Sequence, residues 1–554
     1  MVPSKRLSFF GITFLLVFLF ALPAFATWQS TPVQSVSFKN TIPQNAIVVD
    51  TNYVYVAAHD GHRLVVYRWN LSTTAEKLNA VWLIDGNLVS GVAGAYPSMA
   101  LYDYGGYKYV LLSYIANGKL KVALFDPKDG NWYVKDVSGD MGVSLTDPRY
   151  TSISVGYATS AFTNGATVAA IAVGGESGVW VATVNMGQVA GSATETAFKS
   201  NSNWEVSRVT SAPSTGVDVF VTPQNFDDKW AGVMFLSYLD SGGLKLAVSK
   251  DGASWRIAPV DTVAGGDTSL WVGYAQTSSP ATGAIAIAYT TTGGLVKFAT
   301  FATQTSWDIA SNLATEATAS SLFVKHTAVS GGANYNNIDM AIEGFATSAT
   351  VAIAYALSAG GFNVAYATEA DITGAFTFTQ KQVDPKGYGA ITLVYSSSYY
   401  VSWATSVDAL KLATSSVPSS WATESYRTLA DASLFGMGLS VASAGGYYYA
   451  AFYDSVLRTL GYLELDSDYD VIGDILKYYG SGSSWLIEKK GDAYEVKVTN
   501  ALDAGWNTDI AVRPAGNPHI AFTALLFSSD NTPSYSSLDK AVSLASPATV
   551  AYAT

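Results

Sequence analysis

Apolar and polar positions alternate with a period of two along most of this chain. Runs such as Ala284–Tyr289 (AIAIAY) and Val351–Tyr355 (VAIAY) are rich in β-branched and aromatic residues, and turns containing glycine separate them. This pattern is typical of β-strands. Helical periodicity is nearly absent, and only residues 469–479 are a candidate for a short helix. The sequence therefore predicts an all-β protein.

One unit recurs along the chain. A strand that ends in an aromatic residue is followed by a turn, a strand that often reads Leu-Lys-x-Ala, a second turn, and a tryptophan that opens another strand. The clear copies contain Tyr109–Tyr114, Val233–Tyr238, Ala284–Tyr289, Val351–Tyr355 and Tyr400–Thr405. Weaker copies lie near Gly61, Gly178, Ser455 and 518–541, giving roughly nine at a pitch of about 47 to 75 residues. A lead strand precedes several copies, as at Thr151–Gly156, Asn337–Ile342 and Thr508–Val512.

Four-stranded units repeated many times predict a β-propeller, because a ring protects sheet edges that a flat stack would expose. We expect eight blades, within a range of seven to nine. Residues 27–554 would form this single domain, with an irregular insertion near 466–491. The alternative is a chain of two smaller β domains. The absence of a Pro/Ser-rich linker argues against it.

The first residues predict export. Lys5 and Arg6 precede the largely apolar run 7–20, and Ala24-Phe25-Ala26 supplies small residues around a cleavage point. This indicates a signal peptide over residues 1–26, and hence a protein secreted to the periplasm, cell surface or medium. The alternative is a retained membrane anchor, but the run is short and Pro23 would interrupt its helix. No later run is long and apolar enough to span a membrane.

The composition narrows the classes of partner that this chain could bind. Without Lys5 and Arg6 the chain has 29 basic and 43 acidic residues, a net charge of −14, which disfavours nucleic acid and anionic membranes. Only 13% of residues are charged, and cysteine is absent, so no disulfide or thiolate site exists. A neutral, hydroxyl-rich surface suits a glycan or an extracellular protein as partner, and is compatible with self-assembly.

Two turns carry a family resemblance. Ser249-Lys250-Asp251-Gly252-Ala253-Ser254-Trp255 resembles a shortened Asp-box, the turn of sialidase-like propellers, and Asp129-Gly130-Asn131-Trp132 is a fainter version. The segment 516–522 (GNPHIAF) is similar to a turn and strand of bacterial secreted propellers. The resemblance implies that Asp251 and Trp255 maintain the fold, with the aspartate in an Asx-turn and the tryptophan buried. We expect Trp132, Trp307 and Trp421 to be buried in the same way.

The chemistry of sialidases is not matched. That family uses an arginine triad, a tyrosine–glutamate nucleophile and an aspartate, whereas the few arginines here fall mostly on outer strands. Arg256-Ile257-Ala258-Pro259 is similar to the family's Arg-Ile-Pro motif but is far from its N-terminal place. The cluster His59-Asp60-Gly61-His62 could bind zinc or copper, although Asp-Gly also makes an ordinary tight hairpin. We expect no metal and no cofactor.

Two classes of function remain. The first is a secreted non-catalytic binding or scaffold protein, such as an adhesin, surface-layer component or assembly subunit. The second is a carbohydrate-active enzyme, a glycoside hydrolase or lyase, whose carboxylates come from separate blades. Loops between second and third strands share one face, and their polar residues predict a ligand site there: His59, Asp60, His62, Glu176, Asp240 and Asp454. The alternative is that these are solvated turn residues. We predict no catalytic residue.

Overall fold

The computed structural model describes most of the chain from residue 45 onward. The described residues are 45–59, 64–70, 77–85, 95–158, 165–224, 226, 228–263, 265–275, 282–313, 319–344, 348–385, 387–405, 409–421, 427–431, 440–444, 447–454, 459–465, 471–472, 487–496, 503–512, 518–525 and 549–553. The predicted signal peptide, Asp60 and His62 lie outside them.

Seven consecutive antiparallel sheets, here called blades 1 to 7, form the first part of the fold. Blades 1 to 4 contain β1–β4 (Asn45–Val49, Tyr53–His59, Leu64–Asn70, Lys77–Asp85), β5–β8 (Ala95–Tyr104, Tyr107–Ala116, Lys119–Asp126, Asn131–Asp136), β9–β12 (Pro148–Ala158, Ala166–Gly175, Val179–Asn185, Trp204–Thr210) and β13–β16 (Ser214–Val221, Met234–Asp240, Gly243–Ser249, Arg256–Asp261). Blades 5 to 7 contain β17–β20 (Thr268–Ala275, Thr282–Thr290, Val296–Gln304, Val324–Val329), β21–β24 (Ala333–Glu343, Ala349–Leu357, Phe362–Glu369, Thr379–Asp384) and β25–β28 (Gly387–Tyr395, Tyr399–Thr405, Ala409–Ser415, Arg427–Asp431). The predicted lead strands in β9 and β21 are confirmed as first strands.

The first strands of the seven blades line a channel. β1, β5, β9, β13, β17, β21 and β25 contact one another in that order, and β25 returns to contact β1. The chain is therefore an all-β propeller of four-stranded blades, as the repeat predicts. The expectation of eight blades is wrong, because the ring closes after the seventh sheet.

The later copies of the repeat build two more sheets. One has four strands, β29–β32 (Ser440–Ala444, Tyr447–Asp454, Thr459–Leu465, Val471–Ile472), and the other has three described strands, β35–β37 (Asp503–Val512, Pro518–Leu525, Thr549–Ala553). The two sheets contact each other through β29, β30 and β35. Between them in sequence, the hairpin β33–β34 (Ile487–Lys490, Ala493–Val496) pairs with β4 and widens blade 1.

In the part of the chain that the structure describes, five short α-helices interrupt the strands, against the expectation that helix is nearly absent outside 469–479. They are α1 (Val137–Asp140), α2 (Met186–Ala190), α3 (Thr194–Lys199), α4 (Ile309–Asn312) and α5 (Ala319–Leu322). Asp136, Asn185 and Asp308 cap three of them by accepting a backbone N–H. Within 469–479 the described residues 471–472 are strand β32.

Apolar side chains fill the spaces between neighbouring blades. Between blades 1 and 2, for example, Trp82, Phe125 and Trp132 pack with ring centroids 5.2 to 5.9 Å apart. Trp132 and Trp421 are buried, while Trp255 and Trp307 are partly buried against adjacent clusters. Trp132 and Trp255 open outer strands as predicted. Trp307 instead precedes α4, so blade 5 reaches its fourth strand only at Val324.

Candidate functional site

The antiparallel order within a blade defines two faces of the propeller. The upper face carries the turns between second and third strands and the beginnings of the first strands. The lower face carries the turns between first and second strands and between third and fourth strands. The channel between the faces holds a cavity of about 260 Å³, lined by residues from the first strand of every blade.

Small polar side chains in the channel connect the blades. Ser98 accepts the N–H of Ile153 at 3.2 Å, and Ser152 accepts that of Val219 at 3.0 Å. The same bond, from an N–H of one first strand to a side chain in or just before the preceding first strand, recurs as far as blade 7: the N–H groups of Val221, Leu270, Ile338, Met340 and Leu393 donate to Ser154, Asp218, Asp267, Ser269 and Asp339 in that order. These bonds satisfy N–H groups that the sheets leave unpaired at the channel. We call these seven side chains the channel belt.

Three carboxyl groups belong to the channel belt. Burial raises the pKa of Asp218 to about 7, and it also raises the pKa values of Asp267 and Asp339. Their surfaces face the cavity, but protein surrounds them on every other side, which disfavours the charged form. Blades 4, 5 and 6 thus bring three aspartates together, although the sequence prediction of the site named none of them.

Their hydrogen bonds indicate a structural role. The two oxygens of Asp218 accept from the Ser152 hydroxyl at 2.5 Å and from the Leu270 N–H at 2.6 Å. Those of Asp339 accept from Met340, Leu393 and the Ser269 and Thr392 hydroxyls. Every oxygen of these groups accepts at least one hydrogen bond from the chain. A catalytic carboxyl needs an oxygen that can reach the substrate.

Strained backbone concentrates at one part of the channel mouth. Among the described residues, five other than glycine have positive φ, and three of them lie within three residues of the start of the first strands of blades 2 and 3: Tyr96 (+53°), Asp147 (+42°) and Tyr150 (+56°). The other two, Asn117 and Ser397, lie in tight turns. A bulky side chain rarely adopts this conformation, and strain of this kind clusters at functional sites.

The strain brings two aromatic rings together over the cavity. The rings of Tyr96 and Tyr150 lie 5.2 Å apart at an angle of 41°, and both line the cavity. Arg149 forms an exposed ion pair with Asp147 beside them. Burial raises the pKa of Tyr96, while the nearby Arg149 charge acts in the opposite direction. We call Tyr96, Asp147, Arg149 and Tyr150 the mouth site.

The structure places the four described residues of the sequence-predicted ligand site on four different sheets. Glu176 is exposed in the β10–β11 turn, and its N–H donates to the Thr146 carbonyl at 3.1 Å, so it lies beside the mouth site. Asp240 accepts the Gly242 N–H at 2.7 Å and faces Lys245 at 4.0 Å. His59 ends β2 in blade 1, and Asp454 ends β30 in the later four-stranded sheet. No hydrogen bond or ion pair among the described residues joins Glu176 to Asp240.

The sequence interpretation missed the mouth site because its residues precede or begin the lead strands. The signal that was available is the pair Ala95-Tyr96-Pro97-Ser98 and Arg149-Tyr150-Thr151-Ser152, in which tyrosine stands two residues before a channel-belt serine. Positive φ at a tyrosine cannot be predicted from the sequence, because positive φ is normally expected only at glycine.

The turn at Asp251 has the geometry of an Asx-turn. Its carboxylate accepts the N–H groups of Ala253 at 2.8 Å and Ser254 at 2.7 Å. Burial would raise the pKa of Asp251, but these bonds hold it below its usual range. Trp255 donates its indole N–H to Gly252 and Ser207. The polar groups of both side chains therefore form hydrogen bonds within the fold, on the lower face.

Comparison with known proteins gives distant structural likeness only. No family model and no curated protein matches the chain. Similar solved structures include a six-bladed fucose-recognising lectin from Aleuria aurantia (10% identity, 57% of this chain and 90% of that chain, TM-score 0.33). An α-L-arabinofuranosidase from Clostridium thermocellum (11%, 55% and 81%, 0.26) and the NanB sialidase of Streptococcus pneumoniae (9%, 72% and 69%, 0.30) are also similar. The blade number and the candidate site follow from this chain's own geometry.

In the part of the chain that the structure describes, no three His, Asp or Glu side chains are grouped so that they could hold a metal ion. No described helix has the length and apolar character needed to cross a membrane.

Proposed function

We propose that this protein is a non-catalytic carbohydrate-binding propeller whose ligand occupies the mouth site. The observation that supports this most directly is the strained pair Tyr96 and Tyr150. Two tyrosines held at positive φ cost folding free energy, about 1–3 kcal/mol each. A cost of this kind persists where the side chains must point in a particular direction, and these two rings point to the cavity.

The chemistry of the mouth site fits a sugar ring. A sugar has an apolar C–H surface that packs on an aromatic ring, and hydroxyls that need donors and acceptors at its edge. Tyr96 and Tyr150 offer the rings, Arg149 offers N–H donors, and Asp147 and Glu176 offer acceptors. The cavity of about 260 Å³ is smaller than pockets for drug-sized ligands. It therefore suits one terminal sugar residue.

Binding is favoured over hydrolysis by the channel carboxyls. A glycosidase needs one carboxylic acid and one free carboxylate at the scissile bond. The three channel aspartates supply carboxyls from separate blades, which is the arrangement expected of the enzyme alternative. However, each of their oxygens accepts from a backbone N–H or a hydroxyl, mostly of a neighbouring blade, and this supports a role in holding the ring together.

The proposal extends to the place of action. The signal-like segment 1–26 and the acidic, hydroxyl-rich composition support a secreted adhesin, surface-layer component or assembly subunit. Amino-terminal sequencing of the protein recovered from the expressing cell would test export. A mature chain beginning at Thr27 is expected, and a chain beginning at Met1 would contradict it.

A glycan array tests the mouth site itself. Wild-type protein and the variants Tyr96→Ala and Tyr150→Ala are applied to printed neutral and acidic mono- and oligosaccharides. Each variant should weaken binding to the best glycan about tenfold, equivalent to roughly 1.4 kcal/mol. Tyr366→Ala is the matched control, because Tyr366 is also half-buried but lies in blade 6. Equal binding by wild type and both mouth variants would overturn the assignment of the site.

A further inference from the structure

The hairpin between the first two strands of blade 2 ends in a tyrosine pair on the lower face. Gly105 and Gly106 form its two-residue turn, with φ of +60° and +82°. Tyr104 and Tyr107 lie directly opposite each other on either side of this turn. They are 40% and 47% exposed, and they are two of the five large apolar or aromatic side chains that are exposed among the described residues.

A second, buried tyrosine pair lies next to the exposed pair, further from the turn on the same two strands. Tyr102 and Tyr109 face each other across the same two strands and are buried. The Tyr102 ring lies 6.0 Å from that of Tyr104 and 6.1 Å from that of Tyr109. The Thr167 side chain of blade 3 lies close to the Tyr102 phenol. The Tyr104 ring therefore packs against a buried neighbour and loses little freedom when something binds it.

Polar groups border the exposed rings. The Lys128 ammonium lies 5.6 Å from the centroids of both Tyr107 and Tyr109, and it donates to the Ala190 carbonyl at the end of α2 at 2.9 Å. The Tyr109 phenol also faces this ammonium and raises the pKa of Lys128, so one of its three N–H groups remains to donate. On the opposite side of the hairpin, Lys108 and Asp103 form an ion pair. We call Tyr104, Tyr107 and Lys128 the hairpin platform.

We propose that the hairpin platform is a second carbohydrate-binding site, which takes a sugar ring of a glycan chain. The two rings offer flat apolar area, and Lys128 offers donors to sugar hydroxyls at their edge. The platform is shallow and open to solvent, unlike the mouth site. It therefore suits an internal residue of a polysaccharide, whose chain continues past the rings on both sides.

The two sites lie at opposite ends of one strand. Tyr96 begins β5 on the upper face and Tyr104 ends it on the lower face, eight residues or roughly 25 Å away. One molecule could then bind two glycans at once and link them. This bivalency rests on the proposed function, because it needs the mouth site as well, whereas the hairpin platform itself does not.

Affinity electrophoresis tests the platform with defined probes. Wild-type protein is run in native gels that contain xyloglucan, galactomannan or mixed-linkage β-glucan. At least one polysaccharide should retard it, and Tyr104→Ala with Tyr107→Ala should raise the apparent Kd about tenfold. The control is Val324→Ala with Val417→Ala, which removes two exposed apolar side chains elsewhere. Thermal melting should show that both double variants are folded, because all four side chains are exposed.

The outcomes separate the two sites. Retardation that survives Tyr96→Ala with Tyr150→Ala, but is lost in the platform variant, supports the platform, and the mouth site is then judged by the glycan array alone. Retardation unchanged in the platform variant overturns the platform and leaves the mouth site standing. Wild-type protein that no gel retards also overturns the platform, and would leave the exposed tyrosines as a surface for a protein partner.

Discussion

At the scale of single residues, this propeller uses positive φ for two different purposes. At Gly105 and Gly106 the conformation makes a tight turn, and glycine adopts it without strain. At Tyr96 and Tyr150 the same conformation is imposed on bulky residues that disfavour it. The first case is readable from sequence and concerns the fold. The second is visible only in the structure, and it marks the mouth site.

The carboxyl of Asp218 gives the protein a pH dependence that can be measured. Its pKa is about 7 in the folded protein, against roughly 4 for an ordinary aspartate in the unfolded chain. The folded state holds the proton more tightly, so this group stabilises the fold below about pH 4. The contribution is lost as the pH rises through about 7. Asp218→Asn, which imitates the protonated form, should therefore melt increasingly above wild type between pH 4 and pH 7.

The measurement is the difference in melting temperature between variant and wild type across pH 4 to 8. Groups that do not interact with Asp218 cancel in this difference, whereas Asp267 and Asp339 are coupled to Asp218 and contribute to it. Asp240→Asn is the control, because Asp240 lies in an upper-face turn and not in the channel. A difference between Asp218→Asn and wild type that stays constant with pH would contradict the burial of this carboxyl.

The role of a residue was predictable from the sequence where its side chain forms hydrogen bonds within its own turn. Asp251 does so, since an Asx-turn is local and its residues are adjacent in sequence. The channel belt was not predictable, because each of its members acts on the next blade. Ser152 and the Val219 N–H that it accepts are 67 residues apart. A serine in an alternating strand looks like any solvent-facing residue until the ring closes.

At the scale of elements, the repeat was read correctly because each of its parts has a physical partner. The aromatic residue that ends the second strand lies opposite the lysine of the Leu-Lys-x-Ala strand, as Tyr114 opposite Lys121 and Tyr238 opposite Lys245. Cross-strand pairs of this kind stabilise sheets and recur wherever the sheet does. The five helices were missed because each has only four to six residues, too few to show a 3.6-residue period.

The hairpin β33–β34 joins three blades from outside the ring. Its strand β34 pairs with β4 of blade 1, and the Asp492 N–H donates to the Trp132 carbonyl of blade 2 at 2.7 Å. The Asp492 carboxylate accepts the Val134 N–H at 2.8 Å and pairs with Lys199 of blade 3 at 2.7 Å. Gly491 allows this approach, because it has φ of +67° and a Cβ there would overlap the Trp132 carbonyl.

Replacing Gly491 should therefore weaken the whole ring. Gly491→Ala combines backbone strain with the overlap at Trp132, and it should lower the melting temperature clearly. Gly130→Ala is the matched control: its φ is +73° but nothing lies within 4 Å of the added Cβ. It should lose only the strain, roughly 1–2 kcal/mol. Equal effects of the two substitutions, measured by thermal or urea unfolding, would show that the hairpin does not hold the blades.

At the scale of the whole molecule, the propeller was predictable but the number of blades was not. Counting repeats finds how many four-stranded sheets the chain can build, which here is about nine. It does not show which sheet closes against the first. That choice depends on the twist between adjacent blades and on the contact between β25 and β1, and neither leaves a local pattern in the sequence.

Closure after the seventh blade predicts that the ring folds without the later sheets. A chain ending after Asp431 keeps all seven blades and the contact of β25 with β1, and it keeps the mouth site and the hairpin platform. It loses the hairpin β33–β34, so the outer edge of β4 and the indole of Trp132 become more exposed to solvent.

We expect this chain to remain soluble, to show the circular dichroism of β-sheet, and to unfold cooperatively at a lower temperature than the full chain. It should also bind the same glycans with similar affinity, because both candidate sites lie within blades 2 and 3. An insoluble or non-cooperatively unfolding product would mean that the later sheets are needed to complete the ring, and that closure at the seventh blade is not sufficient for a stable fold.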